Sequence, residues 1–165
     1  MKFIYVNFLL FFNLLVSANT VESLNEFFKN NLEFVQTSFN TLNNSFDKSY
    51  GNFFRDSNNN IKIEINHPFK EIYLINENGI EIHDLEFSQK RFIKNKDISN
   101  NILKIIRNGF NDESLNLEQI DDTKFLITEF EKNYYFEFLT SDTLQIKYKD
   151  NMDLGNLINF SIQND

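Results

Sequence analysis

The sequence predicts one α+β domain built mostly of antiparallel sheet. Three observations predict it: apolar residues at spacings of three and four near the start, apolar–polar alternation further on, and 165 residues with no internal repeat or linker. Val21, Leu24, Phe28, Leu32 and Val35 give the first signal, an amphipathic helix. Asn19 with Glu22 and Ser23 with Glu26 are competing capping boxes for its start. The period then changes to two. Ile61, Ile63 and Ile65 alternate with Lys62, Glu64 and Asn66, as on a strand with one apolar face. Ile72–Ile75 and Ile80–Ile82 flank Asn78-Gly79, which offers the positive φ angles of a tight hairpin. A second helix is expected from an Asp97 N-cap through Ile98, Ile102, Ile105 and Ile106, stopping at Asn108-Gly109. Strand patterns resume in Lys124–Phe130 and Tyr134–Leu139. Leu144, Ile146 and Tyr148 alternate with Gln145, Lys147 and Lys149, and Phe160 and Ile162 close the chain.

An antiparallel sheet wetted on one face must bury the other. Two short helices cover eight or more strands thinly, so the sheet either curls into a packed barrel or encloses a cavity roofed by the helices. Periodicity does not separate the two.

Composition narrows function. There are 24 acidic against 16 basic side chains, a net charge of −8, which argues against nucleic-acid binding, an affinity that rests on Lys and Arg neutralising phosphates. The lack of cysteine excludes disulfides, thiol catalysis, structural Cys–zinc sites and a lipidated cysteine. Two His, four Gly and one Pro leave little for catalysis or phosphate cradling, whereas 20 Phe can fill a core or line an apolar cavity. The 27 Asn are scattered among apolar residues and reflect A/T-rich codons rather than a prion-like tract.

The N-terminus reads as an address. Lys2, the apolar run Phe3–Val16 and small residues at Ser17 and Ala18 form a signal peptide over residues 1–18, cleaved after Ala18. Fourteen residues fall short of the roughly 20 that cross a bilayer. The expected mature domain, residues 19–165, is exported and carries one more negative charge.

Catalytic patterns are poor. His83-Asp84 near Ser88 are strand neighbours that point to opposite faces. Glu64, Glu71, Glu81 and Glu86 alternate with apolar residues as solvent-facing positions do, and His67 and His83 lack the partners of a metal site. No enzyme, cofactor or metal is expected.

Several short motifs occur in a particular order. Ser38-Phe39 follows the first helix, and Gly51 is separated by sixteen residues from Pro68. Asn78-Gly79, Asp84 and Gln89 then fall within ENGIEIHDLEFSQ, before the helix Asp97–Arg107 and the closing strands. In this the chain resembles the LolA family, the periplasmic carriers of outer-membrane lipoproteins, over nearly its whole length. The resemblance implies a curved, incompletely closed antiparallel β-barrel, or half-barrel, with helices forming a lid over an apolar cavity. It implies a periplasmic monomer that binds the acyl chains of lipidated lipoproteins. The inner-membrane donor would be an ABC-type lipoprotein-releasing complex, and the acceptor an outer-membrane lipoprotein receptor.

The family's Arg-Pro pair, whose arginine ties barrel to lid, falls at Ser57 and Asn58 here; Arg55, a same-face displacement two residues earlier, is the candidate latch. Its Arg-Trp pair reads Lys62-Ile63, and the chain is shorter around Asn40–Ser49 and at the C-terminal strands. On this arrangement the cavity lining is Ile61, Ile63, Ile65, Tyr73, Ile75, Ile80, Ile82, Phe136 and Phe138. The lid residues are Leu24, Phe28, Leu32, Ile102, Ile105 and Ile106. Two other readings stand beside it: a general lipid- or hydrophobe-binding protein, and an envelope-stress sensing module on the same fold.

Overall fold

A strand with one apolar face must set every second side chain against something apolar, and the chain does this by joining all its strands into one sheet. The computed structural model describes residues 19–42, 44–98, 101–111, 115–129, 131–150 and 152–163. The expected leader, residues 1–18, lies outside them. The first six strands are β1 (Leu32–Asn40), β2 (Ser45–Arg55), β3 (Ile61–His67), β4 (Glu71–Asn76), β5 (Gly79–Asp84) and β6 (Gln89–Lys94). The last five are β7 (Asn116–Gln119), β8 (Lys124–Glu129), β9 (Lys132–Thr140), β10 (Thr143–Lys149) and β11 (Gly155–Ile162). Helix α1 spans Asn19–Phe27 and α2 spans Asn101–Asn108.

The sheet order is β6-β5-β4-β3-β2-β1-β11-β10-β9-β8-β7, antiparallel throughout. Two meanders therefore run outward from the β1–β11 pair, where Phe34 stands opposite Phe160. Eleven flat strands at about 4.8 Å apiece would measure about 48 Å between the outermost two. Yet Ile61, Ile75 and Ile80 of one wing share a single core with Phe125, Ile127 and Ile146 of the other. Only a curved sheet brings them together. Among the described residues no pairing joins β6 to β7, so the sheet keeps two edges.

The topology explains where α2 lies. The chain leaves one edge at β6 and re-enters at the other with β7, so its connection must pass from wing to wing. The apolar side of α2, Ile102, Ile105 and Ile106, lies in the same core as the inner sheet face. Gly51 lets the curve tighten. It sits at a register shift between β2 and β3, and a Cβ there would stand 2.1 Å from the Glu64 carbonyl oxygen and 2.6 Å from the Phe34 ring.

Four expectations need correcting. The first helix ends at Phe27, and Leu32 and Val35 lie on β1. The Asn30 side-chain amide donates to the Glu26 and Phe27 carbonyls at 3.0 and 3.1 Å, closing the helix where the i+3/i+4 spacing seemed to run on. Leu32, expected on the lid, thus belongs to the sheet. Asp97 lies in a 3-10 turn (Asn95–Asp97) instead of capping α2, and Ile98 behind it is extended. The β4–β5 turn is Glu77-Asn78, pinned by the Asn78 N–H donating to Asn76 Oδ1 at 2.8 Å. Gly79 instead opens β5, where a Cβ would come within 2.1 Å of the Ile93 carbonyl oxygen. Finally, residues 56–60 form the β2–β3 turn, so Arg55 is the last residue of β2 and no strand carries it into register with Ser57.

Candidate functional site

Alternation puts the odd residues of β3 and the even residues of β5, β9 and β10 on the concave face. There Ile61, Ile75, Ile80, Ile82 and Phe136 are buried, while Ile63, Ile65, Tyr73 and Phe138 are partly buried against the same core. Leu24, Phe28, Ile102, Ile105 and Ile106 enter that core from the helices, and Leu32 from β1. The structure thus gathers the expected lining and lid residues into one apolar body.

Phe28 is its hub. Its ring centroid lies 5.8 Å from Phe53 on β2, 5.5 Å from Phe160 on β11 and 5.8 Å from Phe110 behind α2. Phe110 in turn meets Phe136 edge-on at 5.5 Å, and Phe27 meets Phe138 at 5.7 Å. Such ring pairs add about 0.5–1.5 kcal/mol each beyond the area they bury. In this structure, then, side chains from the helical segments fill the concave face. Phe53 and Phe110 escaped the sequence reading, and Phe160 was read on the closing strand but not among the lining: Phe53 has an aromatic neighbour at Phe54 that hides its facing, and Phe110 lies beyond the glycine that ends α2.

Polar contacts hold the helices in place. The Asn25 Oδ1 accepts the Phe110 N–H at 2.9 Å, and its Nδ2 donates to Asn111 Oδ1 at 3.1 Å, so α1 and the end of α2 are joined. Gly109, at φ +90°, ends α2 with its N–H donating to the Ile105 carbonyl at 2.9 Å. The last carbonyls of a helix need donors. Arg55 supplies them: its guanidinium donates to the carbonyl of Ile106 and, at 3.4 Å, to that of Arg107. Burial first, and then the neighbouring Arg107 charge, lower its pKa below the usual arginine value. A cation at a helix C-terminus also complements the helix dipole.

Two of the openings beside this body flank α1. A cleft of about 680 Å³ lies between α1 and the β9–β10 turn, with Phe27, Phe138 and Ile162 among its walls. A polar crevice of about 450 Å³ surrounds Arg55, Arg107 and Asn25. On the concave side of β4, the Tyr73 hydroxyl donates to Glu71 at 2.7 Å, and burial, then that bond, push its pKa up to about 12.

The residues weighed for catalysis are dispersed. His83 bonds Glu81 at 2.5 Å, with Lys90 at 3.7 Å from the same carboxylate oxygen, a surface cluster on β5 and β6. His67 packs its ring against Tyr50, and Ser88 occupies the β5–β6 turn at φ 52°. Among the described residues no three His, Asp or Glu are grouped to hold a metal ion, and no helix is long and apolar enough to cross a membrane.

No family model matches the chain, and no curated protein matches it in sequence. Among solved structures it is similar to a LolA superfamily protein from Nitrosomonas europaea, at 11% identity and a TM-score of 0.48, over 89% of this chain and 93% of that one. It is also similar to a Vibrio parahaemolyticus domain described as an outer membrane lipoprotein-sorting protein, at 6% identity and a TM-score of 0.44, over 89% and 88%. A DUF1329 family protein from Desulfovibrio piger follows, at 9% and 0.41, over 86% and 91%. With TM-scores below 0.5, these likenesses carry no conclusion about function.

Proposed function

We propose that the chain is a periplasmic carrier that takes up the acyl chains of lipidated lipoproteins beneath its two helices and hands them on. One observation carries the reading. Apolar side chains of both short helices lie in the same core as the inner face of a single sheet, and the Arg55 side chain of β2 bonds the last carbonyls of α2. A second sheet would make such a core permanent. A helical cover can swing away and expose an apolar trough, and each CH2 buried in its place is worth about 0.8 kcal/mol.

The chemistry is binding and release, with no covalent step and no cofactor. Cargo affinity must lie between those of the donor and the acceptor. The proposed donor is an inner-membrane ABC-type releasing complex, whose ATP supplies the free energy, and the proposed acceptor is an outer-membrane lipoprotein receptor. The sequence motifs from Ser38-Phe39 to Gln89 support the lipoprotein over a generic hydrophobe as cargo.

The test is a release assay. The purified protein is added to spheroplasts that make a labelled lipoprotein. The reading expects a soluble one-to-one complex that disappears when the lipoprotein lacks its acyl chains. No complex, with free acyl lipid still bound by the same preparation, would leave a cavity protein with another cargo.

A further inference from the structure

In a meander the turns alternate between the two ends of the sheet. The turns after β1, β3, β5, β8 and β10 share one end, and α1 joins the sheet at the other, where Arg55 also holds α2. Exposed apolar side chains gather at the first end. Leu42 is 97% exposed, Met152 78%, Phe87 69% and Phe69 61%, with Leu85 beside Phe87. At the far end Ile120 is 52% exposed and Leu139 49%; scattered surface hydrophobics of that kind are ordinary, but a set concentrated on one rim asks for an occupant.

The opposite end supplies an internal control, because both ends use the same turn chemistry. In three turns of the apolar end, an Asn or Asp side chain accepts the N–H of the tip residue. Leu42 donates to Asn40 at 3.0 Å and Met152 to Asp150 at 2.8 Å, while Asp84 accepts the N–H of Glu86 and, one residue further on, of Phe87, both at 3.0 Å. In three turns of the far end the same device holds Asn58 to Asp56 at 2.8 Å, Asn78 to Asn76 at 2.8 Å, and Thr123 to Asp121 at 2.9 Å. Asx turns prefer polar residues and require no apolar tip. At the matched position the tips are Leu42, Glu86 and Met152 at one end against Asn58, Asn78 and Thr123 at the other; two apolar tips, with Phe87 beside Glu86, against none is an asymmetry the turns themselves do not explain.

We infer that this rim docks the protein on a bilayer, its apolar tips entering the interface between headgroups and acyl chains. The tips stand on separate turns, and those of Phe69, Phe87 and Met152 have both charges close by: Lys70 beside Glu71, Glu86 near Lys90, and Lys149 beside Asp150. That alternation matches zwitterionic headgroups, whereas a net charge of −8 opposes an anionic surface. A fluid interface takes discrete apolar insertions, and Phe, Leu and Met are suited to that depth. The inference stands on the rim alone and goes beyond the carrier reading, since it needs no cargo.

The experiment is co-sedimentation of the purified protein with phosphatidylcholine–phosphatidylethanolamine vesicles. The wild type is expected in the pellet at millimolar lipid, with binding little changed by salt. The triple variant Leu42→Asn, Phe87→Asn, Met152→Asn introduces the residue that two far-end tips, Asn58 and Asn78, carry, and is expected to lose at least tenfold in partitioning while keeping its circular dichroism. Met152→Asn alone, the change least able to disturb folding, should lose several-fold, and Ile120→Asn at the far end should bind as the wild type does. A wild type that stays in the supernatant overturns the inference, as does a folded triple variant that binds equally well. A concentration-dependent dimer that the triple variant abolishes, without vesicle binding, would assign the rim to a second copy and overturn it too. Because the assay contains lipid alone, it can fail or succeed independently of lipoprotein release.

Discussion

Removing the Arg55 guanidinium isolates the tie between sheet and helices. Arg55→Ala leaves the Ile106 and Arg107 carbonyls at the end of α2 without their donor. Hydrogen bonds from a charged group are worth about 1.5–3 kcal/mol each. One of these two is long, at 3.4 Å, and the side chain is only half-buried, so we take about 2 kcal/mol for the pair. At about 1.4 kcal/mol per tenfold, the population with α2 detached should rise roughly thirtyfold. Amide hydrogen exchange reads this locally: protection of Ile105 and Ile106 should fall by that factor, while β9 and β10 amides keep the wild-type rates. If cargo enters only the detached state, apparent affinity for an acyl lipopeptide should tighten by up to the same factor. Equal loss of protection in α2 and in the central strands would refute the reasoning, since Arg55 would then be an ordinary contributor to global stability. Unchanged protection of α2 would refute it as directly.

Three further outcomes are expected. Gly51→Ala drives a methyl group against the Glu64 carbonyl and the Phe34 ring, so thermal or urea denaturation should show a loss at the upper end of the ~1–3 kcal/mol typical of overpacking. Phe28→Ala empties the hub touched by Phe53, Phe110 and Phe160 and should cost about 3–5 kcal/mol in the same assay. Burial, and then the bond to Glu71, push the pKa of Tyr73 in the folded state from the ordinary tyrosine value of 10.0 up to about 12. The stability this group contributes is therefore complete below pH 10 and lost as pH rises towards 12. Absorbance titration should show a late-ionising tyrosine that Tyr73→Phe removes, with a shallower loss of stability across that window.

Much of the sheet was legible because burial imposes a period of two. Ile61, Ile63 and Ile65 could only be read one way, and they line the concave face with Ile75, Ile80 and Ile82. Legibility failed where a local signal imitated another element. Leu32 and Val35 continued the helical spacing of α1, and only the Asn30 side chain, bonded back to Glu26 and Phe27, says where the helix stops. Strand β6 was hidden because five of its six residues are exposed on an edge, so QKRFIK lacks alternation. With four residues, β7 is too short to show a period. Arg55 was singled out through a same-strand argument that the turn at 56–60 removes. Its contact with α2 arises because β2 ends beside the helix C-terminus. Between a filled barrel and an open cavity, periodicity was silent, since both demand the same alternating face.

The most direct measurement of the central claim is methyl NMR of isoleucine-labelled protein titrated with a diacylated lipopeptide. Isoleucines report on both partners, with Ile61, Ile75, Ile80 and Ile82 on the sheet and Ile102, Ile105 and Ile106 on the helix. The account predicts contacts from acyl CH2 protons to the sheet isoleucines, and loss of the α2-to-sheet contacts in the same titration. Acyl contacts confined to outer positions such as Ile120, with α2 still seated on the sheet, would contradict it.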